Sequence, residues 1–438
     1  MKKVLVLGAG RVSRPCVQHL LKEGDLQVVV VDQSLENARQ AVTGHSRGEA
    51  HALDIKETDS LIEQSDLVIS LLPSFLEGQV IKKCIEHKTS VIFPNYISSA
   101  IKEQDSKAKE AGITVLSEVG LDPGIDHMSA VKIIDEVKAR GGQVVRFASW
   151  CGGLPAPEAA TEPVRYKFSW SPEGAISASE RPAQFLTEGK EINIPGSELM
   201  QNYALMQVTG CGWFEEYPNS DSLAYIDIYD IPGVKDIYRG TLRYPGWCEL
   251  IAGLRRMNFF DTEPENMQNS SYLDLVLKKI GSSKNRAIVP ELAEYLGVQE
   301  YSLVIKNIQW LGLLDESPVP FELASAKEVL ADLLLKKLKF EADERDLVVM
   351  RHEFEIEYLD GASDHITSTL VEYGQPGGDS AMARTTGLPV AIAAKLLVRE
   401  EFNETGIQLP VDQRLYKPAL EELEEQGIVL EEVHTKKT

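Results

Sequence analysis

The stretch KVLVLGAGRVSRPCVQHLLKEGDLQVVVVD, Lys3 to Asp32, decides the fold. Its first apolar run, KVLVLG, is short enough for a buried strand. The segment from Val12 to Glu23 then places Val12, Cys16, Val17 and Leu20 on one helical face, and QVVVVD is a second apolar run. Strand, helix and strand in this order form a βαβ unit. Between the first strand and the helix stands GAGRVS, Gly8 to Ser13. A dinucleotide needs one glycine for the tight turn and a second for close approach of backbone to pyrophosphate. It also needs a helix start that offers N–H groups and a positive dipole end. Gly8 and Gly10 meet the glycine demands, and Ser13 is a small residue at the third position. The bland alternative is a tight turn with no ligand.

Asp32 ends the second strand. An acid there accepts from ribose hydroxyls and repels a 2′-phosphate, and no Arg follows in QSLEN. The expected cofactor is therefore NAD, with NADP disfavoured.

Outward from this unit the alternation continues. DLVISLLP, SVIFP and ITVL read as strands, with helices over Glu77–His87 and Ile101–Ala111 between them. The continuous Val, Ile and Leu runs suit strands buried on both faces of a parallel sheet. Asp54 and Leu72–Pro73 end two of these strands, on the adenine and nicotinamide sides of the expected crevice. From about Val144 strand-like runs (VVRFASW, SLAYIDIYD, GTLRY) mix with Gly/Pro-rich loops. From Asp261 to Glu344 the spacing is helical, and two strand-like runs, DLVVMRHEFEIEYL and HITSTLVEYG, follow. The expected fold is α/β: a Rossmann-like doubly wound parallel sheet, plus an α+β substrate domain with an all-helical insert. The expected bounds are residues 1–122 for the dinucleotide domain, with a return over about 378–438 that includes a helix from Gly387 to Arg399. The substrate domain takes 123–260 and 345–377, the insert 261–344, and the final HTKKT is expected to fray.

Composition excludes several classes. With 67 acids, 45 bases and a net charge of −22, the chain lacks the clustered cations that nucleic acid or an anionic membrane requires. The five cysteines, at 16, 84, 151, 211 and 248, form no CxxC pair and suit a reducing compartment. No apolar run is read as membrane-spanning, and the first strand begins too early for a leader peptide. The expected location is the cytoplasm.

Three residues outside the nucleotide loop invite a chemical reading. Asp122, in VGLDPGIDHMSA, suits the N-cap of the next helix, with Pro123 in its first turn; it also suits a hydrogen bond to substrate beside the nicotinamide, with Gly124 allowing close approach. A metal site from Asp122, Asp126 and His127 is not supported, because adjacent residues diverge on a helix and a third ligand is lacking. Tyr96, just after the fifth strand, borders the crevice and suits donation to a substrate or packing at a domain boundary. Arg243, in GTLRYPGW, offers a fork for a carboxylate or a structural ion pair to one of many acids.

GAGRVSRP, DLVISLLP, SEVGLDPGIDHMSA, CGGLPAPE, YKFSWSPEG, YPN with DS, and RGTLRY occur together and in order. On these motifs the chain resembles glutamate-forming saccharopine dehydrogenase, the family that includes the C-terminal half of the animal aminoadipic semialdehyde synthase. The resemblance runs from residue 3 to about 430. It implies reversible oxidation of the secondary amine of saccharopine by a nicotinamide cofactor, then imine hydrolysis to L-glutamate and 2-aminoadipate 6-semialdehyde. It places nucleotide contacts at Ala9, Gly10, Arg11 and Val12, at Asp32, Gln33 and Ser34, at Asp54 and Ile55, and at Leu72. Asn95, Tyr96, Leu121, Asp122 and Pro123 would line the nicotinamide–substrate junction, Thr241, Leu242 and Arg243 would touch substrate, and Ser171 would approach the cofactor. Cys151 would face the site beside Asp122 as a small residue with a modest polar role, in a loop shaped by its Gly and Pro neighbours. No metal is implied. A homodimer and a separate lysine-ketoglutarate reductase partner are compatible with the family.

The resemblance has departures. The family's YPNRDS carries an Arg that holds a substrate carboxylate, where this chain has Ser220; Asn95 replaces a Ser and ISSA an ITPA-like turn. Arg239, Arg165, Arg181 or Lys167 would compensate at Ser220, or the substrate is a related amine with one carboxylate fewer. A carboxynorspermidine-type imine reductase and a non-catalytic NAD-sensing module are the competing readings.

Overall fold

The structure, a computed structural model, describes residues 1–170, 172–283 and 285–437. The chain divides into two compact units. The first holds Met1–Arg146, Asp227–Gly233 and Met350–Thr438; the second holds Phe147–Ile226 and Val234–Val349.

In the first unit, strands β1 (Lys2–Leu7), β2 (Leu26–Asp32), β3 (Gly48–Ala52), β4 (Leu67–Ser70), β5 (Ser90–Ile92) and β6 (Thr114–Leu116) form a parallel sheet. Its order is β6-β5-β4-β1-β2-β3, so the winding reverses between β1 and β4. The apolar runs explain the two-sided burial. Val4 and Val6 join one core layer, while Leu5 and Leu7 join the layer on the opposite face. Each such side chain, removed from water, stabilises the fold by about 1.5–3 kcal/mol.

Helices α1 (Ser13–Lys22), α2 (Leu35–Ala41), α3 (Asp59–Glu63), α4 (Glu77–His87), α5 (Ser99–Lys102) and α6 (Asp105–Ala111) connect these strands. The helix read over Ile101–Ala111 is thus two helices. The second begins at Asp105, whose side chain accepts from the backbone N–H of Ile407 at 2.9 Å. Helix α7 (Ile125–Ala139) follows the sheet.

The C-terminal part of the chain completes this unit. The helix Ala381–Val398 packs on α1, and the short strand Gly406–Gln408 adds parallel to β6. At Gly387 a Cβ would lie 2.6 Å from the Val12 carbonyl oxygen and 3.1 Å from the Cys16 nitrogen, so the absent side chain permits the close packing. The helix begins six residues before the expected Gly387, and Ser380 caps it by accepting from the Ala383 N–H. Contrary to expectation, this segment has the length and mean hydropathy, 1.3, of a membrane span; 89% of it is buried against the fold as a core helix. The tail is not frayed through its described part. Strand Leu430–Lys437 pairs antiparallel with Ser363–Tyr373, and Thr435 lies opposite His365. Its polar alternation hid it from a reading that sought apolar runs.

The second unit contains most of β7 (Gly142–Pro155), then α8 (Pro172–Ala178), β8 (Ala183–Thr187), β9 (Lys190–Ile194), β10 (Ala204–Val208), β11 (Gly212–Pro218), α9 (Ala224–Ile228, shared with the first unit), β12 (Asp236–Arg243) and α10 (Trp247–Arg256). Its strands run in the order β10-β11-β12-β7, with the β8–β9 hairpin on β12. SLAYIDIYD, read as strand-like, is helical at α9. Asp221 accepts from the N–H groups of Leu223 and Ala224 and turns the chain there. Helices Tyr272–Ile280, Ile288–Leu296, Leu303–Leu311 and Ala326–Lys337 fill the stretch read as an insert. They share one apolar core with Tyr166, Phe168 and Trp247, which makes them part of this unit rather than a separate one.

Candidate active site

The nucleotide loop is built by backbone geometry. Gly8 adopts φ +100°, and a Cβ there would sit 3.0 Å from the Leu71 carbonyl oxygen, so the turn after β1 packs closely on the end of β4 through a glycine. No atom lies within 4 Å of a Cβ position on Gly10, which leaves that face open to a ligand. Ser13 donates through its hydroxyl to the Gly10 carbonyl at 2.8 Å, closing the turn at the start of α1. A cleft of about 510 Å³ opens at the strand ends, and Asp32, Gln33, Asp54, Ile55 and Leu72 line it as expected. Lys56, Pro73 and Phe75 also line it, and Phe75 is 82% exposed. The open Gly10 face and this cleft fit a dinucleotide.

Asp32 does not present a vacant carboxylate. One oxygen accepts from the Ala9 N–H and the other from the Ser34 N–H, each at 2.8 Å. Asp54 likewise accepts from the Lys56 N–H at 3.0 Å. Arg11 is exposed and Val12 half-buried at the mouth of α1.

Beyond the loop, the structure brings Tyr96 and Asp122 together: the Tyr96 hydroxyl donates to Asp122 Oδ1. Asp122 is therefore not a helix cap. The Gly120 N–H donates to the Pro123 carbonyl and the Ile125 N–H to the Gly120 carbonyl, so a tight turn precedes α7 and Gly124 takes the cap position. Leu121 and Pro123 belong to that turn. Asn95 donates through Nδ2 to Glu77 Oε1 at 3.0 Å. Glu77 is fully buried and its Oε2 has no partner. Burial pushes its carboxyl up, opposed by the Asn95 amide and, more weakly, by the nearby Ser98 hydroxyl.

A second set gathers in the other unit around β12. Arg243 is 4% exposed. Its guanidinium lies 4.9 Å from the Tyr166 ring centre and 5.9 Å from that of Trp247, and Nη1 donates to the Leu242 carbonyl at 2.7 Å. Its Nε has no partner, and among the described residues no carboxylate forms an ion pair with it. Burial lowers its pKa, but Tyr217, Tyr166, Cys248 and Cys151 around it favour the cation, and the net direction is up. Burial pushes the Tyr217 phenol up to about 12, opposed by the Arg243 cation and, least, by the Thr241 hydroxyl. Leu242 is buried behind them.

Cys151 lies in this second unit, buried, on β7. The CGG run is strand rather than loop. A Cβ on Gly152 would come within 2.7 Å of the Leu242 carbonyl oxygen, so that glycine lets β7 pass beside β12. Among the candidate cations, Lys167 pairs with Glu344 and Arg239 donates to the Tyr225 hydroxyl at 2.6 Å. Arg165 stacks 4.3 Å from the Tyr244 ring centre, and Arg181 is exposed. Ser171 lies outside the described residues.

The parallel sheet reversing at β1 and β4, the open glycine loop and the cleft at the strand ends define a nucleotide-dependent oxidoreductase of the Rossmann-like class. Two family profiles divide the chain: "Saccharopine dehydrogenase NADP binding domain" matches residues 4–116 and "Saccharopine dehydrogenase C-terminal domain" residues 120–428. The chain belongs to the saccharopine dehydrogenase family, oxidoreductases that act on CH–NH bonds.

It is 38% identical over 437 residues to "Saccharopine dehydrogenase [NADP(+), L-glutamate-forming]" of Pyricularia oryzae, covering 97% of both chains. It is 37% identical to the mitochondrial alpha-aminoadipic semialdehyde synthase of Bos taurus, across 98% of this chain and 47% of that protein. The apo saccharopine dehydrogenase (L-Glu forming) of Saccharomyces cerevisiae superposes with a TM-score of 0.90 at 34% identity, covering 99% of this chain and 100% of that one.

The NAD expectation is corrected by these findings. The matching domain is an NADP-binding one, and the full-length fungal relatives are NADP(+) enzymes. An Asp32 carboxylate facing the 2′ position would repel NADP, and the five residues after it hold no cation. Both Asp32 oxygens instead hold backbone N–H groups, and a cation, Lys56, enters the same cleft from beyond β3.

Proposed function

We propose that the protein oxidises the secondary amine of saccharopine with NADP, releasing L-glutamate and 2-aminoadipate 6-semialdehyde. The observation that carries this reading is Arg243. A guanidinium that is buried, stacked on two aromatic rings and, among the described residues, without a carboxylate partner suits an anionic ligand, because an isolated buried charge is expensive. A substrate carboxylate supplies that anion, and the planar fork suits it better than an ammonium would.

The bound dinucleotide supplies the hydride acceptor. The nucleotide loop and the strand-end cleft hold and orient it. Arg243 holds a substrate carboxylate through its planar fork. The Tyr96 hydroxyl, aimed by Asp122 Oδ1, handles a proton at the substrate nitrogen as the amine becomes an imine, and again as water adds to the imine carbon. Cys151 is a small buried neighbour of Arg243, and covalent chemistry is not needed for either step.

The test is NADPH formation with saccharopine, in wild type and in Ser220→Arg. Turnover in wild type supports saccharopine as substrate and means that Ser220 needs no replacement cation. Ser220 favours a second reading, a related secondary amine with one carboxylate fewer. Activity on saccharopine that appears only in Ser220→Arg would establish that second reading and sink the first.

A further inference from the structure

Behind Tyr96 and Asp122, within the first unit, lies a chain of buried groups that the reaction does not itself use. His127 is fully buried, Tyr229 is 3% exposed and Glu118 7% exposed. His127 Nε2 lies 2.7 Å from Glu118 Oε2, and His127 Nδ1 lies 3.1 Å from the Tyr229 hydroxyl. The two rings meet edge to face, with centres 5.7 Å apart. With Nε2–H directed at the carboxylate, Nδ1 accepts from the Tyr229 hydroxyl, so the three groups fix one another's orientation.

The far end of this chain grips the backbone on both sides of Tyr96. Glu118 Oε1 accepts from the Ile97 N–H at 2.9 Å, and the Glu118 N–H donates to the Asn95 carbonyl at 3.2 Å. Glu118 adopts φ +62°, a left-handed conformation uncommon outside glycine, asparagine and aspartate. The neighbouring residue of α7 performs the matching task for Asp122. Asp126 Oδ1 accepts from the Gly124 N–H at 2.5 Å and from the His127 N–H at 2.8 Å, closing the turn that carries Asp122. One helix start therefore anchors both partners of the Tyr96–Asp122 hydrogen bond.

We propose that Glu118, His127 and Tyr229 are positioning residues that set the Tyr96 hydroxyl against Asp122. The functional part of this inference rests on the reading that Tyr96 and Asp122 serve saccharopine oxidation; the positioning part does not. Loss of a hydrogen-bonded cluster that merely filled the core would lower stability without acting through Tyr96.

The experiment compares wild type, Glu118→Ala, Glu118→Gln, Tyr229→Phe, Tyr96→Phe and the double variant Tyr96→Phe/Glu118→Ala. It reads kcat and KM for saccharopine and NADP, and amide deuterium uptake by mass spectrometry over residues 94–98. Glu118→Ala should lower kcat about tenfold to a hundredfold, with KM for NADP within about twofold. Uptake over 94–98 should rise while that over β2 stays at the wild-type level. Glu118→Gln keeps a side-chain oxygen for the Ile97 N–H and should recover kcat to within about threefold of wild type. The double variant should be no slower than Tyr96→Phe alone.

Additive losses in the double variant, a Gln variant no better than Ala, or unchanged uptake over 94–98 would each overturn the proposal. Tyr229→Phe removes one hydroxyl and tests the far end should Glu118→Ala not fold: uptake over 94–98 should rise, and an unchanged value overturns the chain. Should wild type not turn over saccharopine, the functional reading fails by itself, and the uptake over 94–98 still decides the positioning.

Discussion

In the first unit, Asp32, Asp54, Glu118 and Asp126 all close on amide groups of the protein itself. At the end of β12 in the second unit, Arg243 has aromatic faces and a single carbonyl, and no carboxylate among the described residues. In a chain of 67 acids and 45 bases, this contrast is informative. Acids are abundant, so an acid at a strand end is readily spent on shaping a loop. Arg243, by contrast, is a buried arginine with no carboxylate partner among the described residues. Residue type alone therefore decides neither place: Asp32 lines the expected cleft and also braces the loop, while Arg243, which looked equally like an ion pair, has none among the described residues.

Breaking the contrast at Arg243 should have the largest effect. Arg243→Met removes charge-assisted hydrogen bonds to a substrate carboxylate, worth about 3 kcal/mol, or on the order of a hundredfold in kcat/KM. Arg243→Lys should recover little, because an ammonium lacks the planar fork. Steady-state kinetics with saccharopine check both, and NADPH affinity, measured by fluorescence, should stay within about twofold of wild type. Loss of nucleotide binding in Arg243→Met would place the residue's role in the fold instead.

The first unit breaks at its packing before its charges. Gly387→Ala forces a methyl group against the Val12 carbonyl and the Cys16 amide, at the start of the helix that follows the nucleotide loop. Overpacking of this kind costs about 1–3 kcal/mol, and calorimetry should show a lower Tm together with weaker NADPH binding. A smaller effect is expected at the cleft. Lys56→Met should raise KM for NADP roughly tenfold, as expected for one lost charged contact, with kcat unchanged. An unchanged KM would remove Lys56 from the cofactor site.

The two units also differ in how far the sequence reveals them. The parallel sheet, the glycine loop and helix α4 are written locally, in apolar runs and turn residues a few positions apart. Helix α4 spans Glu77–His87, as its spacing predicts. What could not be read was set by distant partners. The Tyr96–Asp122 bond spans 26 positions, and the His127–Tyr229 contact spans 102. The cation–π stack at Arg243 rests on Tyr166, 77 positions earlier by residue number. Asp122 was legible as a special residue, but its cap role was not decidable until the 120–124 turn was seen. His127 could be weighed only as a metal ligand, because its burial and its two partners have no local signature. The C-terminal strand was missed because its partner, Ser363–Tyr373, supplies the pairing that its own polar residues do not announce.

Glu77 offers the smallest and sharpest test, since it departs from the pattern of the first unit's acids. One oxygen accepts from Asn95, while the other is buried without a partner. Burial raises its pKa above the usual 4.5. A carboxyl whose folded pKa is raised holds its proton to higher pH in the folded chain than in the unfolded one. Folding therefore takes up a proton between the two pKa values, and stability falls as pH rises through that window. Above it, the folded state carries an ionised and half-satisfied group. Glu77→Gln keeps the oxygen that Asn95 uses and removes the charge. It should raise Tm at pH 8 by a few degrees, from relief of about 1 kcal/mol, and should change Tm little at pH 4, where the wild-type carboxyl is already neutral in the folded state. A Tm gain that is equal at both pH values would mean that packing, not ionisation, separates the two side chains. A loss at pH 8 would mean that the Oε2 position meets a donor, and that Glu77 is braced like the other acids of its unit.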